Sequence, residues 1–111
     1  MISLSCIAAR MRDRAEQTGQ AQWTLGRGLH LGLYRRAAPD GVLWLLTLDR
    51  DDVPPSPTEV QTVRRHFGVP AEAEELATNR LISITWIVPP TVEQIAQGSL
   101  FAASSAGGTA R

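Results

Sequence analysis

The sequence predicts an α+β fold: a small, mostly antiparallel three-stranded sheet with helices packed on it, in the order α-β-β-α-β-α. Three observations lead there. Ser56 to Gly68 (SPTEVQTVRRHFG) carries its own start and stop signals for a helix. Two apolar runs flank the turn sequence Ala38-Pro39-Asp40-Gly41, which is the pattern of a hairpin. Leu81 to Val88 (LISITWIV) is rich in β-branched residues and is stopped by Pro89-Pro90, giving the third strand. At 111 residues the chain is one ordinary domain, expected over residues 1–103, with residues 104–111 (SSAGGTAR) a flexible tail.

The elements follow in order. From Ser3 to Thr18, Leu4, Ile7, Ala8, Met11 and Ala15 keep helical spacing, and Gly19 closes the segment. Arg10, Arg12 and Arg14 fall at steps of two, which scatters them around a helix rather than forming one basic ridge. Trp23 to Arg36 alternates as a strand. Trp23, Leu25, Leu29, Leu31 and Leu33 share one face, with Gly26, Gly28, His30, Gly32 and Tyr34 on the other. Those glycines lack the spacing and the following helix of a dinucleotide fingerprint. Val42 to Leu48 is apolar on both faces apart from Thr47, so it belongs in mid-sheet or beneath helices.

The central helix has Ser56 as N-cap, Pro57 at the first helical position and Glu59 completing a capping box, with Pro55 and Val60 placed as a hydrophobic staple. Val60, Val63 and Phe67 form its apolar stripe, and Gly68 ends it. Pro70 to Ala77 (PAEAEELA) reads as a short acidic helical extension. Thr91 with Gln94 makes a weaker capping box, starting a last helix through Val92, Ile95 and Ala96.

Composition narrows the function. Hydrophobic content of 43% and charged content of 20% are globular values. Every basic side chain is Arg rather than Lys, and the basic and acidic groups balance to zero net charge. That balance argues against a dedicated nucleic-acid coat or a polybasic membrane anchor. A single cysteine, Cys6, excludes an internal disulfide and fits a reducing compartment. Ile2 to Ala9 is too short for a secretory core, and no segment is long enough to span a bilayer, so a cytoplasmic location without membrane contact is expected.

Candidate chemistry is thin. Asp49, Asp51 and Asp52 in the DRDD loop are the type of group that gathers a divalent cation. Acidic residues ahead of a helix N-terminus are equally what turn and dipole demand, so the expectation is no metal and no cofactor. Cys6, His30 and His66 are scattered; Cys6 is expected in the core and His66 as a charge suited to a helix C-terminus. The binding candidates are Arg64, Arg65 and His66 at the end of the central helix, Arg35 and Arg36 near the hairpin tip, and Trp23 as an exposed aromatic anchor. Trp44 and Trp86 are expected in the core.

The stretch from Trp44 to Trp86 resembles small phage- and mobile-element-borne proteins of unknown function. Their pattern is a Trp-containing strand, a Ser/Asp-rich turn, a Pro-started helix with an early Glu, a Phe-Gly ending, and a last strand closing on Trp. The matching residues here are Trp44, Asp49, Asp51, Pro55, Glu59, Val60, Val63, Arg64, Phe67, Gly68 and Trp86, with Thr85 departing where a bulkier residue is expected. The resemblance covers under half of the chain and implies a genomic setting, with no active site. Together these readings favour a small non-enzymatic binding module acting by contact with a protein partner or by self-association. A nucleic-acid binder using an Arg patch is the alternative, and a metal-dependent enzyme on the DRDD loop is third.

Overall fold

The computed structural model of the chain describes residues 2–90. Helix α1 spans Leu4–Thr18; the Ser3 hydroxyl accepts from the Cys6 N–H at 3.2 Å, and Gly19 takes a left-handed φ of 90° while its N–H reaches Ala15 O at 2.8 Å. Both ends are closed by local chemistry. Strand β1 (Gln20–Thr24), a single 3-10 turn at Gly26–Gly28, and β2 (His30–Ala38) follow. The Pro39-Asp40 turn leads into β3 (Gly41–Asp49), then α2 (Pro57–Phe67), β4 (Glu74–Thr78) and β5 (Leu81–Val88).

The five strands form one sheet in the order β1-β2-β3-β5-β4, with every neighbouring pair antiparallel. Its inner face is written in rows across the strands. Ala21, Leu33, Leu46 and Ile84 make one; Trp23, Leu31, Leu48 and Ile82 make the next; Trp44 and Trp86 stack in a third, with ring centroids 6.3 Å apart. Ile7, Met11 and Ala15 of α1 and Val60, Val63 and Phe67 of α2 close over that face to form a single core. Phe67 is completely buried, as the stripe on α2 requires. The opposite face carries rows such as Gln22, Gly32, Thr47, Ser83 and Leu76, and neither helix packs on it.

The fold corrects the expected three-stranded sheet and its α-β-β-α-β-α order. Among the described residues there are five strands and two helices, in the order α-β-β-β-α-β-β. Two readings caused the difference. The run Trp23–Arg36 is interrupted: Arg27 and Gly28 adopt left-handed φ values of 65° and 71°, which turn the chain back so that β1 pairs with β2. Pro70–Ala77 is not helical. A turn at Ala71–Glu72 precedes β4, which hairpins onto β5 through Asn79 at φ 52°. Ladder pairing with β5 overrides the helical preference of Ala and Glu. The strand Val42–Leu48 does lie mid-sheet, but helices cover one face only. The expected helix through Val92–Ala96 and the tail at 104–111 fall outside the described residues.

A candidate binding groove beside the first strand

The sequence-selected residues are dispersed. Arg64 is engaged within the fold: Nη1 donates to Glu75 Oε1 at 2.8 Å and Nη2 to Pro70 O at 3.1 Å, fastening α2 to the approach to β4. His66 Nδ1 is hydrogen-bonded to Ser5 Oγ at 3.0 Å, joining the end of α2 to the first turn of α1. Arg65 is exposed beside them. Arg35 extends over the Trp44 ring, 6.0 Å from its centroid, in cation–π range. Arg36, the next residue of the strand, belongs to the opposite face. Arg64 and Arg65 line one shallow depression with Gln61 and Val69; Arg35 and Arg36 line another with Tyr34, Leu43 and Leu45. The two basic pairs share no cleft among the described residues.

The DRDD loop is organised by its arginine. Arg50 holds the Glu59 carboxylate with both terminal nitrogens, and its Nε donates to Arg27 O at 3.1 Å. This fork and the Ser56 N–H hold the Glu59 carboxyl well below its ordinary value, at about 2. Asp51 and Asp52 point to solvent, and Asp51 O accepts from Arg80. Among the described residues no three His, Cys, Asp or Glu side chains gather as a metal site would need.

On the open face, Thr24 Oγ1 is hydrogen-bonded to His30 Nδ1 at 3.0 Å, and His30 Nε2 stands 3.8 Å from Asp51 Oδ2. The hydroxyl, imidazole and carboxylate are in chemical order for proton transfer. However, the Asp51 side chain is 90% exposed and beyond hydrogen-bond length. The adjoining depression, lined by Gln22, Tyr34, Thr47 and Asp49 among others, holds about 210 Å³. That is smaller than the roughly 300–1,000 Å³ of ordinary ligand sites. Gly32 belongs there because a Cβ would stand 2.5 Å from Thr47 Oγ1 and 3.0 Å from Tyr34 Cε2. Cys6, expected in the core, is exposed: it precedes buried Ile7 and so stands one residue off the apolar stripe.

Trp23 occupies a more developed site. It is half-buried in a groove of about 470 Å³ between α1 and β1, with Arg10, Arg14 and Gln17 on the helix side and Ala21 and Gln22 on the strand side. Arg10 and Arg14 are four residues apart and therefore lie on one helical face. Arg12 departs from them to donate to Phe67 O, tying α1 to the end of α2. Among the described residues neither Arg10 nor Arg14 has an ion-pair partner, although Asp13 also lines the groove. Among the described residues β1 pairs only with β2; on its other edge the Thr18 hydroxyl donates to Gln20 O at 2.9 Å and accepts from Gln20 N–H at 3.5 Å, and the edge beyond Gln20 is open. The groove thus combines an open strand edge, an aromatic anchor and two guanidinium groups. Sequence reasoning named Trp23 and set Arg10 and Arg14 aside with Arg12 as scattered around the helix; the four-residue spacing of Arg10 and Arg14 was the signal. None of the described helices is long and apolar enough to cross a membrane. Comparison with protein families, curated proteins and solved structures gives no match.

Proposed function

We propose that this chain is a non-enzymatic binding module acting by protein–protein contact, with the groove between α1 and β1 as its contact site. One observation carries the reading: the open edge of β1 runs beside Trp23, Arg10 and Arg14 in a single groove. An extended segment of a partner adds to such an edge through main-chain hydrogen bonds, and alternate side chains enter the groove. Trp23 supplies apolar contact area, and the two guanidinium groups favour acidic side chains at bidentate geometry. A phage or mobile-element setting, with antagonism of a host system as one form, enters this proposal from the resemblance over Trp44–Trp86. A cytoplasmic setting enters it from the single cysteine.

Selection of random linear peptides on the full chain tests the reading. Enriched peptides are expected to be acidic and to shift the amide resonances of residues 20–24. Arg10→Glu with Arg14→Glu, both changes on exposed positions, is expected to weaken them at least tenfold while leaving the thermal midpoint nearly unchanged. Equal binding by the double variant removes the groove from the reading. Tight binding of random oligonucleotides, falling steeply with added salt, turns it toward nucleic acid.

A further inference from the structure

We propose that the segment taken by the groove between α1 and β1 carries two acidic residues separated by one, and that it pairs with β1 at Gln22 and Thr24 alone; this rests on the reading of the groove as a protein-contact site. The backbone directions of β1 set the pairing. Leu25 N–H donates to Leu29 O at 2.7 Å and Arg35 N–H to Gly19 O at 2.9 Å. By alternation the N–H and C=O groups of Ala21 and Trp23 also turn toward β2, and those of Gln20, Gln22 and Thr24 turn to the other edge. Gln20 is already served there by the Thr18 hydroxyl, which donates to its O at 2.9 Å and accepts from its N–H at 3.5 Å. Among the described residues, the open ladder positions of this edge are therefore those of Gln22 and Thr24.

The same alternation decides which partner side chains enter the groove. Ala21 and Trp23 face the helices, whereas Gln22 and Thr24 belong to the bare face. A partner residue opposite Trp23 shares the Trp23 side, as do the residues two before and two after it. Gly19 alone separates α1 from β1, so the helix runs back beside the strand and lines the groove from Arg10 to Gln17. Arg10 and Arg14 stand about 6 Å apart along that direction, four residues at the helical rise. Partner side chains on the groove face recur every two residues, or about 6.5 Å. The two spacings agree, so each guanidinium meets one carboxylate when the acidic residues are separated by a single residue. Acids that are adjacent, or separated by two residues, send one carboxylate to the bare face instead. Asp13 also lines the groove, but it is turned roughly 100° around the helix from Arg14.

Calorimetric titration of the full chain with three synthetic peptides tests this. Each carries two glutamates in an otherwise constant Ser/Thr/Val sequence, with the glutamates adjacent, separated by one residue, or separated by two. Separation by one is expected to bind roughly fivefold tighter than the others, the effect of one further charge pair at a groove rim. Arg10→Gln, an exposed position, is expected to abolish that preference, because a single guanidinium then serves a single carboxylate. Bound peptide is expected to slow amide exchange at Gln22 and Thr24 while leaving Gln20, Ala21 and Trp23 as they are in the free chain. Binding without a preference for spacing, or protection that extends to Gln20, overturns this inference and leaves the groove as the contact site. Failure of all three peptides to bind overturns the groove reading, and this inference with it.

Discussion

Glu59 shows how much one side chain carries in this protein. Its carboxylate accepts from the Ser56 N–H at 2.9 Å, completing the capping box, and it receives the Arg50 guanidinium. Arg50 in turn holds the left-handed turn at Arg27. One carboxylate therefore joins the start of α2, the end of β3 and the loop between β1 and β2. The partly shielded fork dominates the lowering of its pKa from 4.5 to about 2, with the Ser56 N–H second and burial opposing both. Because the folded value is depressed, the stabilisation is complete above about 4.5 and is lost as pH falls through about 2. Allowing for solvent screening, it is worth about 1–2 kcal/mol. Urea titrations between neutral pH and pH 2 are expected to show that loss, and Glu59→Gln is expected to flatten that part of the profile. An unchanged profile in Glu59→Gln assigns the acid sensitivity to other carboxylates.

Elements divide by how locally they are written. Helix α2 is capped at both ends by its own residues and presents a three-residue apolar stripe, so its bounds and its buried face follow from sequence. Ser56→Ala is expected to cost about 0.5–2 kcal/mol through the cap. Phe67→Ala, which empties a fully buried site, is expected to cost about 3–5 kcal/mol. Thermal and urea unfolding measure both, and a Phe67→Ala protein as stable as the parent contradicts the packing of α2 on the sheet. Helix α1 was legible for the same reasons, with Ser3 and Gly19 at its ends. The β1–β2 hairpin was not. Thr24 faces His30 across the turn with an odd number of residues between them, so the alternation of faces passes through the loop unbroken. A period of two therefore ran from Trp23 to Tyr34 and concealed the reversal. Strand β4 was hidden differently: Ala and Glu favour helix locally, and only pairing with β5 makes Glu74–Thr78 extended. The candidate groove inherits both limits. Trp23 was legible as an aromatic residue at a strand start, whereas the open edge beside it exists only because the chain turns back at Arg27. The Arg64 pairing with Glu75 likewise needs β4 in place.

At the scale of the molecule, the described residues form two layers, with α1 and α2 on one face of a five-stranded sheet and the other face bare. Stability is expected to be graded across the sheet rather than uniform. Strand β3 is bonded along its length on both sides, to β2 over Gly41–Asp49 and to β5 over Val42–Asp49, and Trp44, Leu46 and Leu48 are buried beneath the helices. Its amides can exchange with solvent only when most of the core opens, at a free energy near the whole stability, typically about 5–15 kcal/mol. Among the described residues strands β1 and β4 each have five residues and one neighbour, and β4 lies entirely exposed. Their amides are expected to exchange through local fraying that leaves the rest folded. Native-state hydrogen exchange on dilute protein checks the order: β3 slowest, β2 and β5 between, β1 and β4 fastest. Amides of β3 exchanging before those of β4 contradict the central place of β3.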